Sequence, residues 1–408
     1  MSSELAKESW QLSSLADDAL GPYGAFPRLT NPAKQAVWDE YHARRTSRVP
    51  VTLGTNNRVF LLDGRFDADG LRYKQVFNDP ALMLVTQLRW QYVLRMRHHV
   101  LCDHPTGLPE VWEVSPDFHN ICEAAFFGAE IHYAASEVPD TRPFLSDDCK
   151  RAIFDVDIDH PLQHGFFEEK LAMWEAMSRL AAGKTFLGRP IRITPYATLG
   201  TDGPLTVAMN LRGAAILRDL KRDPDYAHQL FEFITVAALR RREAFRKHWG
   251  MPAPQEAWLA DDSIALLGPA QYQEHVLPYH RQWYDTVDPD RTRTRCMHLC
   301  GDATRHFGTL RELCGVSAFD TGFPVDFAGL RAELGPDVEI LGGVEVATLL
   351  HGRPAAVYRR ARAILESGVL VGSRFVLREA NNLPPGVPWA NLAAMYKAAL
   401  DCDVSAAG

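Results

Sequence analysis

The chain has 408 residues, of which 46% are hydrophobic and 23% charged, and its net charge is −7. This composition is typical of a globular protein and excludes a fibrous or disordered chain, and the length suits one barrel with insertions better than a small bundle or sandwich. No apolar run of about eighteen residues and no basic, apolar leader occur, so neither a membrane span nor a secretory signal is expected.

The cysteines indicate the redox compartment of the protein, and the distribution of arginines indicates whether it binds nucleic acid. Seven cysteines, an odd number without regular spacing, predict free thiols in a reducing cytoplasm, with some available to bind a metal. The basic run Arg240-Arg241-Arg242 stands beside Glu243 in a helical pattern. We interpret it as a solvated helix face, so no nucleic-acid partner is predicted.

Short apolar runs alternate with longer helical patterns, most clearly in the second half of the chain. That alternation is typical of βα units and a parallel sheet. Residues 1–47 are predicted to form an N-terminal helical extension. Eight strands are predicted, at residues 49–54, 129–133, 191–194, 256–260, 295–299, 316–319, 338–341 and 373–377.

Prolines and glycines mark the helices between these strands. Asp223-Pro224 and Gly250, for example, begin and end the longest helical pattern. The principal helices are predicted at residues 166–182, 226–249, 270–287, 303–314, 327–334, 355–367 and 388–402. No linker divides the chain, so residues 1–408 are predicted to form a single domain with insertions at 59–128 and 138–185.

Polar residues follow seven of the predicted strands. Catalytic groups of a (β/α)8 barrel lie at the carboxyl ends of its strands, although Asp and Asn also form turns and caps. The strand ends carry Asn56 and Arg58, the loop 198–204, Asp261 and Asp262, His298 and Cys300, Asp320, Glu345, and Arg378, Glu379 and Asn381.

The segment His298-Leu299-Cys300 is the most specific of these features. Residues i and i+2 of a strand face the same way, so the imidazole and the thiol should point to the same side. Together they form a donor pair that zinc prefers. A buried cysteine beside a hydrogen-bonded histidine is the structural alternative.

His298-Leu299-Cys300-Gly301 resembles the H-x-C-G segment of the cobalamin-linked methyltransferases within the uroporphyrinogen decarboxylase superfamily. Residues 341–345 resemble that family's G-N-V/I-D strand end, and residues 383–391 its I/L-P-P-x-T-P-x-E-N segment. Residues 203–206 and 261–262 resemble its G-P-x-T and D-D segments. The resemblance runs from about residue 48 to the end and implies a (β/α)8 TIM barrel with N-terminal helical decoration and insertions.

The resemblance also implies a chemistry. The methyltransferase branch transfers a methyl group between a corrinoid carrier and coenzyme M or a similar thiol, at a zinc ion held by one His and two Cys. His298 and Cys300 match the first two ligands, but Asn381 stands where the second Cys is expected. Glu379, on the same face, is predicted to ligate instead.

The implied cofactors are zinc and a corrinoid (cobalamin), the latter free or on a partner protein. The remaining strand-end residues receive roles by position. Catalytic roles are predicted for Asp261, Asp262 and Glu345, and substrate binding for Asn56, Arg58, Asp320, Arg378 and Asn381.

Two alternatives stay open. The first is a metal-free decarboxylase or lyase acting on a small carboxylate, with Asp261 or Asp262 beside Arg58 and Arg378. Of the Arg-rich segment that true uroporphyrinogen decarboxylases carry after strand one, only Arg58 has a counterpart here. The second is a corrinoid- or tetrapyrrole-binding protein without activity. A homodimer is compatible with each reading.

Overall fold

A computed structural model describes residues 12, 15–66 and 70–403. Of the predicted N-terminal extension it contains a 3-10 helix at Asp17–Gly24 and helix α1 at Asn31–His42. The first part of that extension and residues 404–408 lie outside the described residues. In the described ranges, every helix is too short or too polar to cross a membrane.

The strands are short and lie mainly in the second half of the chain. In chain order they are β1 (Trp112–Val114), β2 (Glu130–His132), β3 (Asp140–Arg142), β4 (Thr185–Phe186), β5 (Arg189–Ile193), β6 (Glu256–Ala260), β7 (Thr294–Leu299), β8 (Ala318–Thr321), β9 (Glu339–Glu345) and β10 (Phe375–Ala380). Strands β6 to β10 form one parallel sheet in the order β10-β9-β8-β7-β6. Every residue of β10 is buried, so both faces of this strand are covered, as in other parallel sheets.

Single contacts extend this sheet at both edges. Val51 forms a parallel bridge to Leu377 of β10, so the predicted strand 49–54 does lie against the sheet. At the other edge, the backbone N–H of Ala260 donates to the carbonyl oxygen of Thr201 at 2.9 Å. The prediction of an α/β fold with a parallel sheet is confirmed.

Helices connect the strands. After α1 they are α2 (Arg58–Leu61), α3 (Tyr73–Val76), α4 (Pro80–Met96), α5 (Cys122–Phe126), α6 (Gly165–Ala181), α7 (Pro204–Arg212), α8 (Ala215–Arg222), α9 (Pro224–Trp249), α10 (Pro269–His275), α11 (Leu277–Val287), α12 (Phe307–Cys314), α13 (Phe327–Leu334), α14 (Val346–His351), α15 (Pro354–Leu365) and α16 (Trp389–Leu400). The Asp223 side chain caps the start of α9, and Gly250 ends it in the left-handed conformation.

Several predicted elements differ from the structure. The prediction of a barrel strand at 129–133 is wrong, because β2 pairs antiparallel with β3 in a separate hairpin. Strand β1, which was not predicted, pairs in parallel with β5. The predicted helix 270–287 divides into α10 and α11 near Pro278, which cannot donate a helical hydrogen bond. Strands β9 and β10 continue to Glu345 and Ala380, so Arg378 and Glu379 lie within a strand.

The interpretation of the arginine run as a solvated helix face is wrong for two of its members. Arg241 and Arg242 of α9 are buried. Arg241 donates to a carboxylate oxygen of Glu123 at 2.7 Å and to the carbonyl oxygen of Gly200, and Arg242 donates to that of Leu199 at 2.9 Å. These arginines stabilise the loop that leads into α7.

Candidate active site

Strand register brings the ends of β6, β7 and β8 together. Ala260 pairs with His298, and His298 pairs with Asp320 on the next strand. Asp262 and Cys300 come two residues after these pairing positions. Since the carboxyl ends of parallel strands meet at one edge, polar side chains from three separate segments meet there.

The imidazole of His298 is held at both nitrogens. Its Nδ1 lies 2.7 Å from Oδ2 of Asp320, and its Nε2 lies 2.8 Å from Sγ of Cys300. Burial alone would lower the pKa of His298, but these two hydrogen bonds outweigh burial and raise it well above its ordinary value. Burial opposes ionisation of Asp320 in the same way, yet the hydrogen bond from His298 and the charge of Arg378 hold its pKa below the usual range.

Asp262, His298 and Cys300 form a cluster that suits a metal ion. Each offers one ligand atom, and these atoms lie within 4.8 Å of one another. Oδ1 of Asp262 also accepts the backbone N–H of Cys300 at 2.6 Å, which ties the two segments together. An imidazole nitrogen, a thiolate sulfur and a carboxylate oxygen are all zinc ligands, and all three residues are partly exposed. We call this group the Asp262–His298–Cys300 cluster.

Glu379, the ligand expected from the sequence, is absent from this cluster. Its side chain is fully buried, and its Oε1 accepts the backbone N–H of Gly54 at 2.7 Å and Nη2 of Arg378 at 3.2 Å. Burial raises the pKa of Glu379 to about 7, although the charge of Arg378 opposes the shift. The ligand role of Glu379 remains a prediction. In the structure, Asp262 is the carboxylate whose oxygen lies close to the ligand atoms of His298 and Cys300.

Arg378 connects Glu379 to the cluster. Its Nη1 donates to Oδ1 of Asp320 at 2.8 Å, and its Nη2 also donates to the carbonyl oxygen of Asn381 at 2.8 Å. Asn381 itself has a positive φ of 82°, and its side chain accepts the N–H of Asn382. Arg378 thus contacts both Asp320 and Asn381, and the roles of these three residues in substrate binding remain predictions.

Asp261 and Glu345 have structural partners. The fully buried carboxylate of Asp261 accepts hydrogen bonds from the backbone N–H of Leu205, from Thr206 and from His280. It therefore stabilises the start of α7. Glu345, at the end of β9, accepts hydrogen bonds from Nε of Arg360 of α15 at 2.9 and 3.2 Å and from its Nη2 at 2.5 Å. Their predicted catalytic roles remain predictions.

A cleft opens beside the cluster. It consists of a cavity of about 430 Å³ and a smaller one of about 220 Å³, which share Asn120, Pro139 and Asp140 in their walls. Asp262 and His298 line the smaller cavity. Pro139 and Asp140 at the start of β3 therefore border both cavities, and no sequence pattern placed them there.

Asn56 and Arg58 line the larger cavity, and their predicted role in substrate binding remains a prediction. Oδ1 of Asn56 accepts both the backbone N–H and Nε–H of Arg58 at 3.0 Å, which orients the guanidinium. Burial lowers the pKa of Arg58, while the charges of Tyr73 and Cys300 raise it. Arg58 is therefore a half-buried cation in the wall of the larger cavity.

Trp258 and Asp202 are among the residues of the smaller cavity that were not selected from the sequence. The Trp258 ring stacks beside the His298 ring, with centroids 6.5 Å apart and planes 20° apart. Asp202 follows Thr201, and burial together with the charge of Glu123 raises its pKa to about 8. Asp202 belongs to a polar loop after a predicted strand, which was an available signal; Trp258 resembled an ordinary strand residue.

The fold and the cluster define an α/β protein with a candidate metal site at the carboxyl edge of a parallel sheet. A profile of the family described as Uroporphyrinogen decarboxylase (URO-D) matches residues 196–401, just over half of the chain. The chain belongs to the uroporphyrinogen decarboxylase family. The matched part contains the whole Asp262–His298–Cys300 cluster.

Individual relatives are distant. A uroporphyrinogen decarboxylase of Gloeobacter violaceus is 26% identical over 207 residues, which cover 50% of this chain and 54% of that protein. One of Pelobacter propionicus is 28% identical over 177 residues, or 43% of this chain and 49% of the relative. The chain thus spans about half the length of the curated relatives it matches.

Among solved structures, a methyltransferase from Methanosarcina mazei is similar with a TM-score of 0.59 and 19% identity. The similarity covers 91% of this chain and 99% of that one. At this identity, the comparison establishes a shared fold.

Proposed function

We propose that the protein is a zinc-dependent methyltransferase that moves a methyl group between a corrinoid carrier and a small thiol. The observation that carries this proposal is the Asp262–His298–Cys300 cluster, whose ligand atoms lie within 4.8 Å of one another. Its nitrogen, sulfur and oxygen donors match zinc, and three protein ligands leave a fourth position for substrate. Zinc bound there would lower the pKa of a substrate thiol and hold it as a thiolate.

The surrounding residues prepare the ligands. Asp320 accepts the Nδ1 proton of His298, which leaves Nε2 to face Cys300. A carboxylate on the second nitrogen of a ligating histidine fixes the ring and increases its basicity. Asp262 holds the backbone of Cys300 through Oδ1, which leaves its other oxygen for a metal.

Arg58, oriented by Asn56, could bind an anionic group at the end of the substrate that lies away from its thiol. Arg58 is half-buried in the wall of the larger cavity, which shares Asn120, Pro139 and Asp140 with the cavity beside His298. A sulfonate or carboxylate on the substrate would pair with the guanidinium. The thiolate would then attack the methyl carbon, and the pair of electrons in the broken bond would remain with the carrier.

We further propose that the parallel sheet closes into a single-domain (β/α)8 barrel that works in the cytoplasm, with a corrinoid protein as partner. Extended segments beside both edge strands, at Val51 and Thr201, support closure. The similarity to the Methanosarcina mazei methyltransferase over 91% of the chain supports the same architecture.

One observation favours a second candidate, a metal-free decarboxylase. Burial and Glu123 raise the pKa of Asp202 to about 8, so this acid carries a proton at neutral pH inside the smaller cavity. Together with Arg58, it could bind a small carboxylate and protonate the carbanion left when CO₂ departs. The curated relatives named above are decarboxylases.

Cobalt substitution tests the metal site. The Co²⁺-loaded protein should show a thiolate-to-metal charge-transfer band that Cys300→Ser removes. Cys149→Ser is the matched control, because Cys149 is exposed and outside the cluster. A protein that binds neither Co²⁺ nor Zn²⁺, or in which both variants behave alike, contradicts the proposal.

Methyl transfer from methylcobalamin tests the reaction. We expect methylation of coenzyme M and, more slowly, of ethanethiol, which lacks an anionic group. Arg58→Gln should raise KM for coenzyme M by about tenfold or more and leave KM for ethanethiol unchanged. CO₂ release from a small carboxylate without metal, abolished by Asp202→Asn, would instead support the decarboxylase.

A further inference from the structure

A buried polar network lies behind His298, on the side away from Cys300. Its members are Glu379, Arg378 and Asp320, joined by the hydrogen bonds described above. The exposed fraction of each side chain falls along the network, from 23% for Asp320 to 9% for Arg378 and 0% for Glu379. A substrate in the cleft would therefore reach Asp320 before the residues behind it.

The position of the guanidinium depends on Gly54. A Cβ atom at this residue would lie 1.7 Å from Nη2 of Arg378 and 2.6 Å from Oε1 of Glu379. The glycine is thus required for space, since its φ is not in the left-handed region. The main chain at Gly54 packs directly on the guanidinium, and its N–H holds Glu379.

The network is not arranged for stability alone. Nε of Arg378 and Oε2 of Glu379 are buried and have no hydrogen-bond partner among the described residues. Buried ion pairs are seldom more stabilising than apolar side chains of the same size, and unpaired buried polar atoms are costly. On the side of the cluster, this network places Asp320 against His298.

We propose that Arg378 and Glu379 are positioning residues that, through Asp320, orient the imidazole of His298 so that Nε2 faces Asp262 and Cys300. Glu379 and Gly54 hold Nη2 of Arg378, and Nη1 then holds Oδ1 of Asp320. The other oxygen of Asp320 accepts the Nδ1 proton of His298. This inference rests on the proposed function only in making Nε2 a metal ligand.

The first test measures the hydrogen bond between Nδ1 of His298 and Asp320 in the metal-free protein. In protein labelled with ¹⁵N-histidine, the Nδ1 proton of His298 should give a low-field, slowly exchanging NMR signal, assigned by its loss in His298→Gln. Arg378→Gln should speed its exchange about tenfold or more, because Asp320 loses its anchor. Arg378→Lys should have a smaller effect, since one ammonium cannot replace a two-pronged guanidinium.

A glycine pair gives a test that changes no charge. Gly54→Ala should displace the guanidinium and reproduce the effect of Arg378→Gln. Gly64→Ala is the matched control, because a Cβ there meets nothing within 4 Å. If Gly54→Ala does not fold, Arg378→Gln decides alone. A wild-type exchange rate in Arg378→Gln overturns the proposal.

The second test uses ¹¹³Cd in place of zinc. In the wild type, ¹¹³Cd should couple to Nε2 of a single histidine; in Arg378→Gln the coupling should weaken or divide between both nitrogens, with affinity lowered about 10- to 100-fold. Cadmium coupling that stays on Nε2 at full affinity counts against the proposal. A wild type that binds no cadmium but keeps the low-field proton, lost in Arg378→Gln, contradicts the proposed function and upholds this inference.

Discussion

The two groups of polar side chains beside His298 differ in their access to solvent. Asp262 and Cys300 lie on the cleft side and are partly exposed, whereas Arg378 and Glu379 lie behind the ring and are buried. If the protein binds zinc as proposed, groups on the open side can take up the ion from solvent without a buried charge being left unpaired. Groups on the closed side can act only through Asp320. The His298 ring thus lies between the partly exposed group on its Nε2 side and the buried group on its Nδ1 side.

The largest effect should come from the residue shared by both groups. We expect His298→Ala to lower zinc affinity about a thousandfold and to abolish methyl transfer, because it removes a ligand and unpairs Asp320. Competition with a chelator measures the affinity. His351→Ala, at an exposed helix end, is the control and should match the wild type. Equal affinities would place the metal elsewhere.

Asp261, next to the cluster residue Asp262, is expected to contribute to the stability of the fold and not to metal binding. Asp261→Asn is expected to lower the free energy of unfolding by about 3 kcal/mol, because it removes a buried charge that Leu205, Thr206 and His280 surround. Urea denaturation of the metal-free protein measures this. Asp302→Asn, at an exposed residue, serves as the control. A stable Asp261→Asn variant with greatly reduced activity would restore Asp261 as a catalytic candidate.

The third ligand can be decided by comparing two carboxylates. We expect Asp262→Asn to lower zinc affinity about 10- to 100-fold, because an amide oxygen is a weaker ligand than a carboxylate. Glu379→Gln should lower it less than tenfold, since Glu379 acts through Arg378. Chelator competition on both variants gives the answer. The reverse order would favour Glu379 as the ligand predicted from the sequence.

The smallest expected effect is the pH dependence of the free energy of unfolding that Glu379 causes. The pKa of Glu379 is raised from 4.5 to about 7, so the folded protein holds this proton more tightly than the unfolded chain does. Its contribution to stability is therefore fully present below pH 4.5 and is lost as the pH rises through about 7. Between pH 5 and pH 7, wild type should lose on the order of 2 kcal/mol of unfolding free energy relative to Glu379→Gln. Parallel pH profiles would show that the carboxyl stays ionised in the fold.

The strands of the second half of the chain could be predicted from the sequence more accurately than those of the first half. Strands β6 to β10 were predicted within about four residues at each end, because their apolar runs are bounded by glycine and proline and alternate with clear helices. In the first half, β1 and β2 have only three residues each, and their partners β5 and β3 are identified by contacts across the chain. Such short strands carry little periodicity of their own.

The candidate site shows the same division. Its pair His298 and Cys300 could be found because two-residue spacing on one strand already determines that both side chains face one way. The third member could not, because Asp262 follows β6 whereas Glu379 lies within β10, and local spacing does not measure the distance between strands. Trp258 and the 138–140 segment were missed for the same reason.

The sequence by itself therefore determined the fold class, the family and the pairing of His298 with Cys300 at the end of β7, since each depends on local pattern or on motifs in order. Only the tertiary structure decided that Asp262 joins the cluster while Asp261 faces inward, and that Arg378 and Glu379 support His298 from behind. Those outcomes depend on strand register and on space such as that left at Gly54. Register and close packing are properties of the assembled sheet, so no single segment encodes them.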